Sequence, residues 1–220
     1  MRTNKRHPTK PEYYPLKKLL IMGLAKEHRG PCLRLLAEIQ RDCRTAPGSE
    51  SNHQAWSGGY LDHISEVMHI AIHLYRTLNG LRPLPFTLAD ALLVLFLHDL
   101  EKPWRFAFEG EAKTLRIVQK AGMRTRQEKA AFREAKLTEY GIVLTSVQRN
   151  ALTYVEGEID DYSSTRRVMN ELAAFCHLCD VTSARIWYAH PERYRPDPWP
   201  KSHECALARH KVGVQKKQEK

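Results

Sequence analysis

An apolar run from Ala91 to Leu97 ends directly in the pair His98-Asp99. A segment this apolar is most simply a helix that is buried on all sides. Thr87, with Asp90 in the following turn, is a weak capping-box signal for its start. An imidazole and a carboxylate are costly at the end of such a helix, because an unpaired buried carboxylate costs on the order of several kcal/mol or gives up its charge. A bound metal ion would meet this need, and it would require further ligands from elsewhere in the chain.

The overall composition is that of an ordinary globular protein. Of the 220 residues, 27% are charged and 42% are hydrophobic, and the chain is long enough to bury a sizeable core. No stretch approaches about 18 uninterrupted apolar residues, so we expect no membrane span. The basic N-terminus lacks the apolar segment of a signal peptide. The odd cysteine count without a framework spacing is typical of a reducing compartment, so we expect a cytoplasmic protein.

The charge balance is strongly basic. The formal net charge is +10 at pH 7, and much of the excess lies at the two ends of the chain. Basic ends of this kind are more often solvated than functional, but a basic surface favours any polyanionic ligand. Nucleic acid and nucleotides therefore both remain open as partners. The sequence also leaves a homodimer open, independently of the charge.

Apolar residues at helical spacing dominate the chain, and we find no convincing strand pattern. The sequence predicts helices over residues 15–27, 32–43, 59–78, 87–97, 111–121, 126–140, 145–155 and 165–189. We therefore expect an all-α protein. Its predicted parts are an N-terminal helical extension (1–57) that packs on the core, a main domain (58–190), and a C-terminal tail (191–220) that is rich in proline and then basic.

Two further predicted helices each place a polar residue on an apolar stripe. His63 shares its stripe with Val67 and Ile70, and Asp180 shares its own with Cys176, so both polar side chains should point inward. The simplest interpretation of either residue alone is a satisfied core polar group. Taken with His98-Asp99, however, they favour one shared site.

A second histidine pair lies on the same predicted helix as His63. His69 and His73 are one turn apart, which is a spacing that can bind zinc. They lie on a different face from His63, together with Arg76. We therefore expect this pair to be exposed or to lie at an interface.

The ordered set His63, His98-Asp99 and Asp180 resembles the H…HD…D signature of the HD-domain superfamily of metal-dependent phosphohydrolases. The flanking residues are similar too. Gly58-Gly59 stands where many members have a Gly-Gly-x-x-x-His opening, residues 98–103 resemble His-Asp-x-Gly-Lys-Pro, and Asp180 is followed by small residues. The resemblance covers residues 58–185.

The resemblance implies an HD-domain-like helical bundle with the metal site between core helices. It implies the metal ligands His63, His98, Asp99 and Asp180. Two imidazoles and two carboxylates suit one divalent transition metal ion, namely Mn, Co, Ni, Fe or Zn, and less typically Mg. Such an ion lowers the pKa of bound water and polarises a phosphoryl group.

The number of metal ions is open to one alternative. Binuclear members carry extra histidines between the HD pair and the final aspartate, and the corresponding region here, residues 151–158, contains none. This favours a single ion. Glu156 or Glu158 could nevertheless replace a histidine ligand.

Residues just after the HD pair are the candidates for catalysis and substrate binding. Glu101 stands where the family usually has glycine. In the nucleotidase-like branch of the superfamily an acidic residue close after the HD pair, at a different spacing, assists the attacking water. The resemblance therefore makes Glu101, beside Asp99, a candidate catalytic group that acts as general acid or base. The alternative is a solvated carboxylate at a helix end. Lys102 occupies the position of the family lysine that contacts phosphate, and Arg105 could add a second cationic contact or simply stack on Trp104 at the surface.

The resemblance implies a phosphohydrolase that acts on a small phosphorylated molecule. A nucleotide is the expected substrate, cleaved as by a 5′-nucleotidase. A nucleoside triphosphate hydrolase of the same superfamily is the alternative enzyme. A degenerate HD module that binds nucleotide or nucleic acid without turnover is the alternative from a different class.

Overall fold

The computed structural model describes residues 13–50, 53–109, 116–119, 122–158 and 161–186, and most of these are helical. The helices are α1 (Leu16–Gly23), α2 (Lys26–Asp42), α3 (Gly59–Leu81), α4 (Leu88–Leu97), α5 (Lys102–Arg105), α6 (Arg126–Tyr140), α7 (Ser146–Tyr154) and α8 (Glu171–Val181). A π-helical turn, Thr182–Ile186, follows α8 directly. The prediction of a mainly helical protein is confirmed. Within the described ranges, no helix combines the length and the apolar character needed to cross a membrane.

α4 is the central helix of the core. Every residue from Ala91 to Leu100 is buried, and α4 packs against α1, α3, α7 and α8. Burial of each leucine side chain stabilises the fold by about 1.5–3 kcal/mol. The prediction of a helix buried on all sides is confirmed. His98 and Asp99 consequently lie inside the protein, where their charges are poorly solvated.

Side-chain caps fix the starts of α4 and α7. The Thr87 hydroxyl accepts a hydrogen bond from the Asp90 backbone N–H, and Asp90 Oδ2 accepts one from the Thr87 N–H, so the predicted capping box is present. Asp90 Oδ1 also accepts a hydrogen bond of 2.7 Å from Gln148, which itself completes the capping box of α7 with Thr145. This contact links the two helix starts and sets the position of α7 relative to α4.

The glycine pair at the start of α3 allows the preceding loop to fold back on it. Gly58 adopts a left-handed φ of 79°, which favours glycine. A Cβ on Gly59 would lie 1.8 Å from the backbone oxygen of Gln54. The same oxygen accepts a hydrogen bond of 3.0 Å from the Gly48 N–H. This close approach places His53 and Gln54 beside the N-terminal part of α3.

The N-terminal helices belong to the same core as the central ones. α1 packs against α3 and α4, and α2 contacts α6. Lys136 of α6 forms an ion pair of 2.9 Å with Glu38 of α2, which also accepts a hydrogen bond from Tyr140. The predicted C-terminal tail, residues 191–220, lies outside the described residues.

A short two-stranded antiparallel sheet is present beside the helices and is consistent with the predicted all-α class. β1 (Phe106–Glu109) pairs with β2 (Arg116–Gln119) in the register Phe106 to Gln119. The helix predicted over 111–121 is therefore wrong across the β2 residues, and residues 110–115 and 120–121 lie outside the described ranges. Each strand has four residues, which is too short for its alternation to stand out from a helical pattern.

Several predicted helix ends also differ from the structure. The first predicted helix ends early, because the chain breaks at Leu24. α2 then starts at Lys26 rather than at residue 32, and it contains Pro31 in its interior. α8 starts only at Glu171, where the Asn170 side chain accepts a hydrogen bond from the Ala173 N–H. Side-chain caps and chain reversals, rather than apolar spacing, determine these ends.

We expect Gly59→Ala to lower the free energy of unfolding by about 2 kcal/mol, because the added methyl group overlaps a backbone oxygen that cannot move independently. Gly80→Ala, on the same helix, is the matched control. A Cβ there meets nothing within 4 Å, so stability should be unchanged or increased by up to about 1 kcal/mol. Urea unfolding of both variants measures the difference, and equal effects would contradict the close approach at Gly59.

We expect Asp90→Ala to cost about 1 kcal/mol at neutral pH through loss of the cap. Burial raises the pKa of Asp90, but hydrogen bonds from Thr87 and Gln148 lower it more, so the net pKa lies below its ordinary value. The contribution of its charge is thus present above the unfolded-state pKa of about 3.9 and is lost as the pH falls through the lower folded-state pKa. Unfolding curves should show the variant approaching the wild type at acidic pH, and a constant difference would contradict this.

Candidate metal centre

Four side chains from three helical regions converge on one point. His63 comes from α3, His98 and Asp99 follow α4, and Asp180 lies near the end of α8. His63 Nε2 lies 3.1 Å from Asp180 Oδ1 and 3.5 Å from Asp99 Oδ2. His98 Nε2 lies 3.3 Å from Asp99 Oδ2 and 3.5 Å from Asp180 Oδ1. The structure therefore brings together all the residues that the sequence predicts as metal ligands.

Hydrogen bonds determine which nitrogen of each histidine faces this point. His98 Nδ1 donates to the Leu95 backbone oxygen at 2.7 Å, because a carbonyl can only accept. His63 Nδ1 lies 3.1 Å from the Ser183 hydroxyl, and that hydroxyl donates its own proton to Glu66 at 2.8 Å. His63 Nδ1 must therefore be the donor to Ser183. Both Nε2 atoms, 3.3 Å apart, are left to direct their lone pairs to the same point.

This arrangement of two imidazole nitrogens and two carboxylate oxygens requires a positive charge at its centre. Burial lowers the pKa of His98, but Asp99 and Asp180 more than offset this and raise it to about 10. Burial also raises the pKa of Asp99, whereas Lys102 and His98 bring it well below its usual value. A proton on His98 and a divalent metal ion are alternative sources of the charge. The buried group of His63, His98 and Asp99 can thus hold a metal ion.

A tight turn lets the adjacent residues His98 and Asp99 face the same point. On a regular helix their side chains would diverge by about 100°. α4 ends at Leu97, and the chain then turns before α5 starts at Lys102, next to Pro103. Arg133 of α6 holds this turn by donating a hydrogen bond of 2.8 Å to the His98 backbone oxygen.

Of the residues predicted for catalysis and substrate binding, Glu101 and Lys102 lie beside Asp99. Glu101 is 0% exposed, so the alternative of a solvated carboxylate is wrong. The Lys102 ammonium forms an ion pair with Asp99 Oδ2. The Arg105 guanidinium lies over the Phe106 ring, 4.8 Å from its centre, while Trp104 packs against Phe132. These contacts replace the predicted surface stack of Arg105 on Trp104.

Sequence reasoning missed several residues that support His63. The ring of His53 lies 4.7 Å from that of His63, and His53 Nδ1 donates to the Gln54 side-chain oxygen at 2.5 Å. Burial, together with the nearby charges of His63 and Lys102, lowers the pKa of His53 to about 4, so the ring is neutral at neutral pH. Among the residues that support His63, only Ser183 could have been found from the sequence, because it lies one turn after Asp180.

The pair His69 and His73 does not form a metal site, and the expectation that both are exposed is wrong for His69. His69 is 1% exposed, and its ring stacks on Tyr13. Its Nδ1 donates to the Ser65 backbone oxygen and its Nε2 accepts from the Tyr14 N–H. Nδ1 therefore fixes the ring on α3 and Nε2 holds the N-terminal segment, while His73 is exposed.

Comparison with known proteins adds no relative. A scan against protein-family models, a search of the curated proteins and a search of the solved structures each found no match. The geometry of the four converging side chains is therefore the basis for the functional argument.

We expect Ser183→Ala to weaken binding of a divalent transition metal by about 10–100-fold, because the hydroxyl that orients His63 is lost. Ser65→Ala is the matched control. Ser65, which lies on α3, is buried like Ser183, but its hydroxyl has no hydrogen-bond partner among the described residues. Competition titration with a chromophoric chelator measures both affinities. If the two variants bind metal equally well, Ser183 does not position the ligand.

Proposed function

We propose that this protein is a metal-dependent phosphohydrolase of the HD-domain type, acting on a nucleoside monophosphate as a 5′-nucleotidase does. One observation carries the proposal. The Nε2 atoms of His63 and His98 lie 3.3 Å apart, and each lies within 3.5 Å of one carboxylate oxygen of Asp99 and one of Asp180, in the order H…HD…D along the chain. A cluster of this composition is costly to bury unless a cation balances it.

The residues present fit a divalent transition metal, because mixed imidazole and carboxylate ligands suit Mn, Co, Ni, Fe and Zn better than Mg. When bound, such an ion lowers the pKa of water and polarises a phosphoryl oxygen. Leu95 and Ser183 hold the two imidazoles in the orientation that exposes Nε2 to the ligand point. His63, His98 and Asp99 are almost fully buried, while Asp180 is 17% exposed and lies on the accessible side.

Glu101 is the proposed proton carrier. Burial and the neighbouring charge of Asp99 raise its pKa, so it takes up a proton more readily than an ordinary carboxyl group does. One of its oxygens lies within 4.8 Å of a carboxylate oxygen of Asp99, so it is close to the reacting atoms without being one of the four converging ligands.

Lys102 and Arg105 are the proposed phosphate contacts. Lys102 already pairs with Asp99, and its side chain is 13% exposed, so its ammonium can also reach a substrate oxygen next to the ligand point. Arg105 Nε is buried and has no hydrogen-bond partner among the described residues, which leaves a donor for an anion. The expectation of a single histidine-containing metal site favours the monophosphatase over the triphosphate hydrolase.

A binding module without turnover remains the alternative from a different class, and one observation favours it. The net charge of +10 suits a polyanion such as nucleic acid. The presence of all four converging side chains, three of them buried, favours the enzyme instead, because binding through a basic surface does not need them.

The deciding experiment is a phosphate-release screen over nucleoside mono-, di- and triphosphates with Mn²⁺, Co²⁺, Ni²⁺ and Mg²⁺. We expect inorganic phosphate from monophosphates with a transition metal, and release at the no-enzyme background in His98→Ala. His73→Ala, which changes an exposed histidine on α3, is the control and should keep wild-type activity.

The other outcomes separate the alternatives. Release of pyrophosphate or triphosphate would support the triphosphate hydrolase. No turnover with any metal, together with nucleic-acid binding that weakens with salt, would support the binding module. Equal metal content in the wild type and His98→Ala would show that the four side chains are not the metal site.

A further inference from the structure

A second group of acidic side chains lies beside the first. One carboxylate oxygen from each of Asp99, Glu101 and Glu156 lies within 4.8 Å of the other two. Asp99 and Glu101 belong to the turn after α4, and Glu156 follows the end of α7. Asp99 thus belongs to both groups, while Glu101 and Glu156 lie outside the histidine-containing one.

Glu101 lacks the partners that a buried carboxylate needs. Its side chain is 0% exposed, and among the described residues neither of its oxygens has a hydrogen-bond partner. Arg133 Nη1 lies 3.9 Å from Glu101 Oε2, beyond hydrogen-bond distance, and donates instead to the His98 backbone oxygen. A carboxylate in this position is costly unless it takes up a proton or a cation.

The basic side chains nearby compensate Glu101 only in part, because Arg133 reaches ion-pair distance but makes no hydrogen bond to it. The Lys102 ammonium is held by Asp99 Oδ2 rather than by Glu101. The exposed position of Glu156 gives a cation a path from solvent to the buried Glu101. Three carboxylates that converge from a buried and an exposed side are the donor set that hard divalent cations prefer.

We propose that Asp99, Glu101 and Glu156 bind a second divalent cation, at an oxygen-only site that shares Asp99 with the histidine-containing site. The absence of imidazole from this site selects Mn²⁺ or Mg²⁺ over softer ions. Ions that share one carboxylate lie about 3.5–4 Å apart in two-metal sites, where both can contact one phosphate group. The histidine-containing site still holds a single ion, and Glu156 is the additional ligand that the sequence left open.

This inference rests on the proposed function only through Asp99, which serves both sites. Oxygens of Glu101 that hold a cation cannot carry a proton at the same time, so the proton-carrier role proposed above applies only without the second cation.

Metal stoichiometry tests the proposal. The full-length protein, freed of metal and dialysed against Mn²⁺, is measured for manganese per chain and by electron paramagnetic resonance. We expect two ions per chain with an exchange-coupled spectrum in the wild type, and one ion with an uncoupled spectrum in Glu156→Gln. Glu158→Gln is the matched control and should bind two. It removes an equal charge two residues away and keeps the oxygen that accepts a hydrogen bond from the Met169 N–H.

The outcomes separate this inference from the proposed function. One ion in the wild type that His63→Ala abolishes would overturn the second site and leave the proposed function standing. Two ions in Glu156→Gln would also overturn the second site. An ion that depends on Glu156 but not on His63 would support the oxygen-only site and overturn the histidine-containing one. No bound ion in the wild type would overturn both. Because Glu156 is exposed, its substitution should leave folding intact, and circular dichroism checks this.

Discussion

The structure depends on the burial of His98 and Asp99 at the end of its most apolar helix. α4 places these groups where water cannot solvate them, so the protein itself must supply the compensating charge. The surrounding polar contacts serve this need. Lys102 pairs with Asp99, Arg133 holds the backbone of the turn, and Ser183 orients His63. Together they leave two imidazole lone pairs directed at one point between two carboxylates, an arrangement that a divalent cation stabilises.

A few local contacts determine where the residues of the candidate site lie. The linked capping boxes at Thr87 and Thr145 set the position of α7, and with it the position of Glu156 beside Asp99 and Glu101. The absence of a Cβ at Gly59 lets the backbone of Gln54 reach the start of α3. Gln54 donates a hydrogen bond of 3.3 Å to Ser183, so the loop before α3 helps to support His63 on α3. Distant parts of the chain thus support one histidine.

The sequence predicted the structural features that depend only on the spacing of apolar residues along one helix. The buried α4, the inward position of His63 and the nearness of Asp180 follow from apolar spacing, because helix periodicity is a local property. The sequence did not predict three features: the pairing of β1 with β2, the late start of α8 and the burial of His69. Each feature depends on a helix cap, a short strand pairing or a covering segment, and these leave little periodic pattern in the sequence. Glu101 was identified as a candidate, but its solvated alternative could be rejected only once its burial was known.

The sequence by itself determined that the protein is mainly helical, that α4 is buried, and that its polar end needs partners with the chemistry of metal ligands. Tertiary structure alone decided which nitrogen of each histidine faces the ligand point, because that depends on Leu95, Ser183 and Glu66. It also decided that Glu101 and Glu156 meet beside Asp99. These two carboxylates come from separate turns, and only the packing of α7 against α4 brings them together.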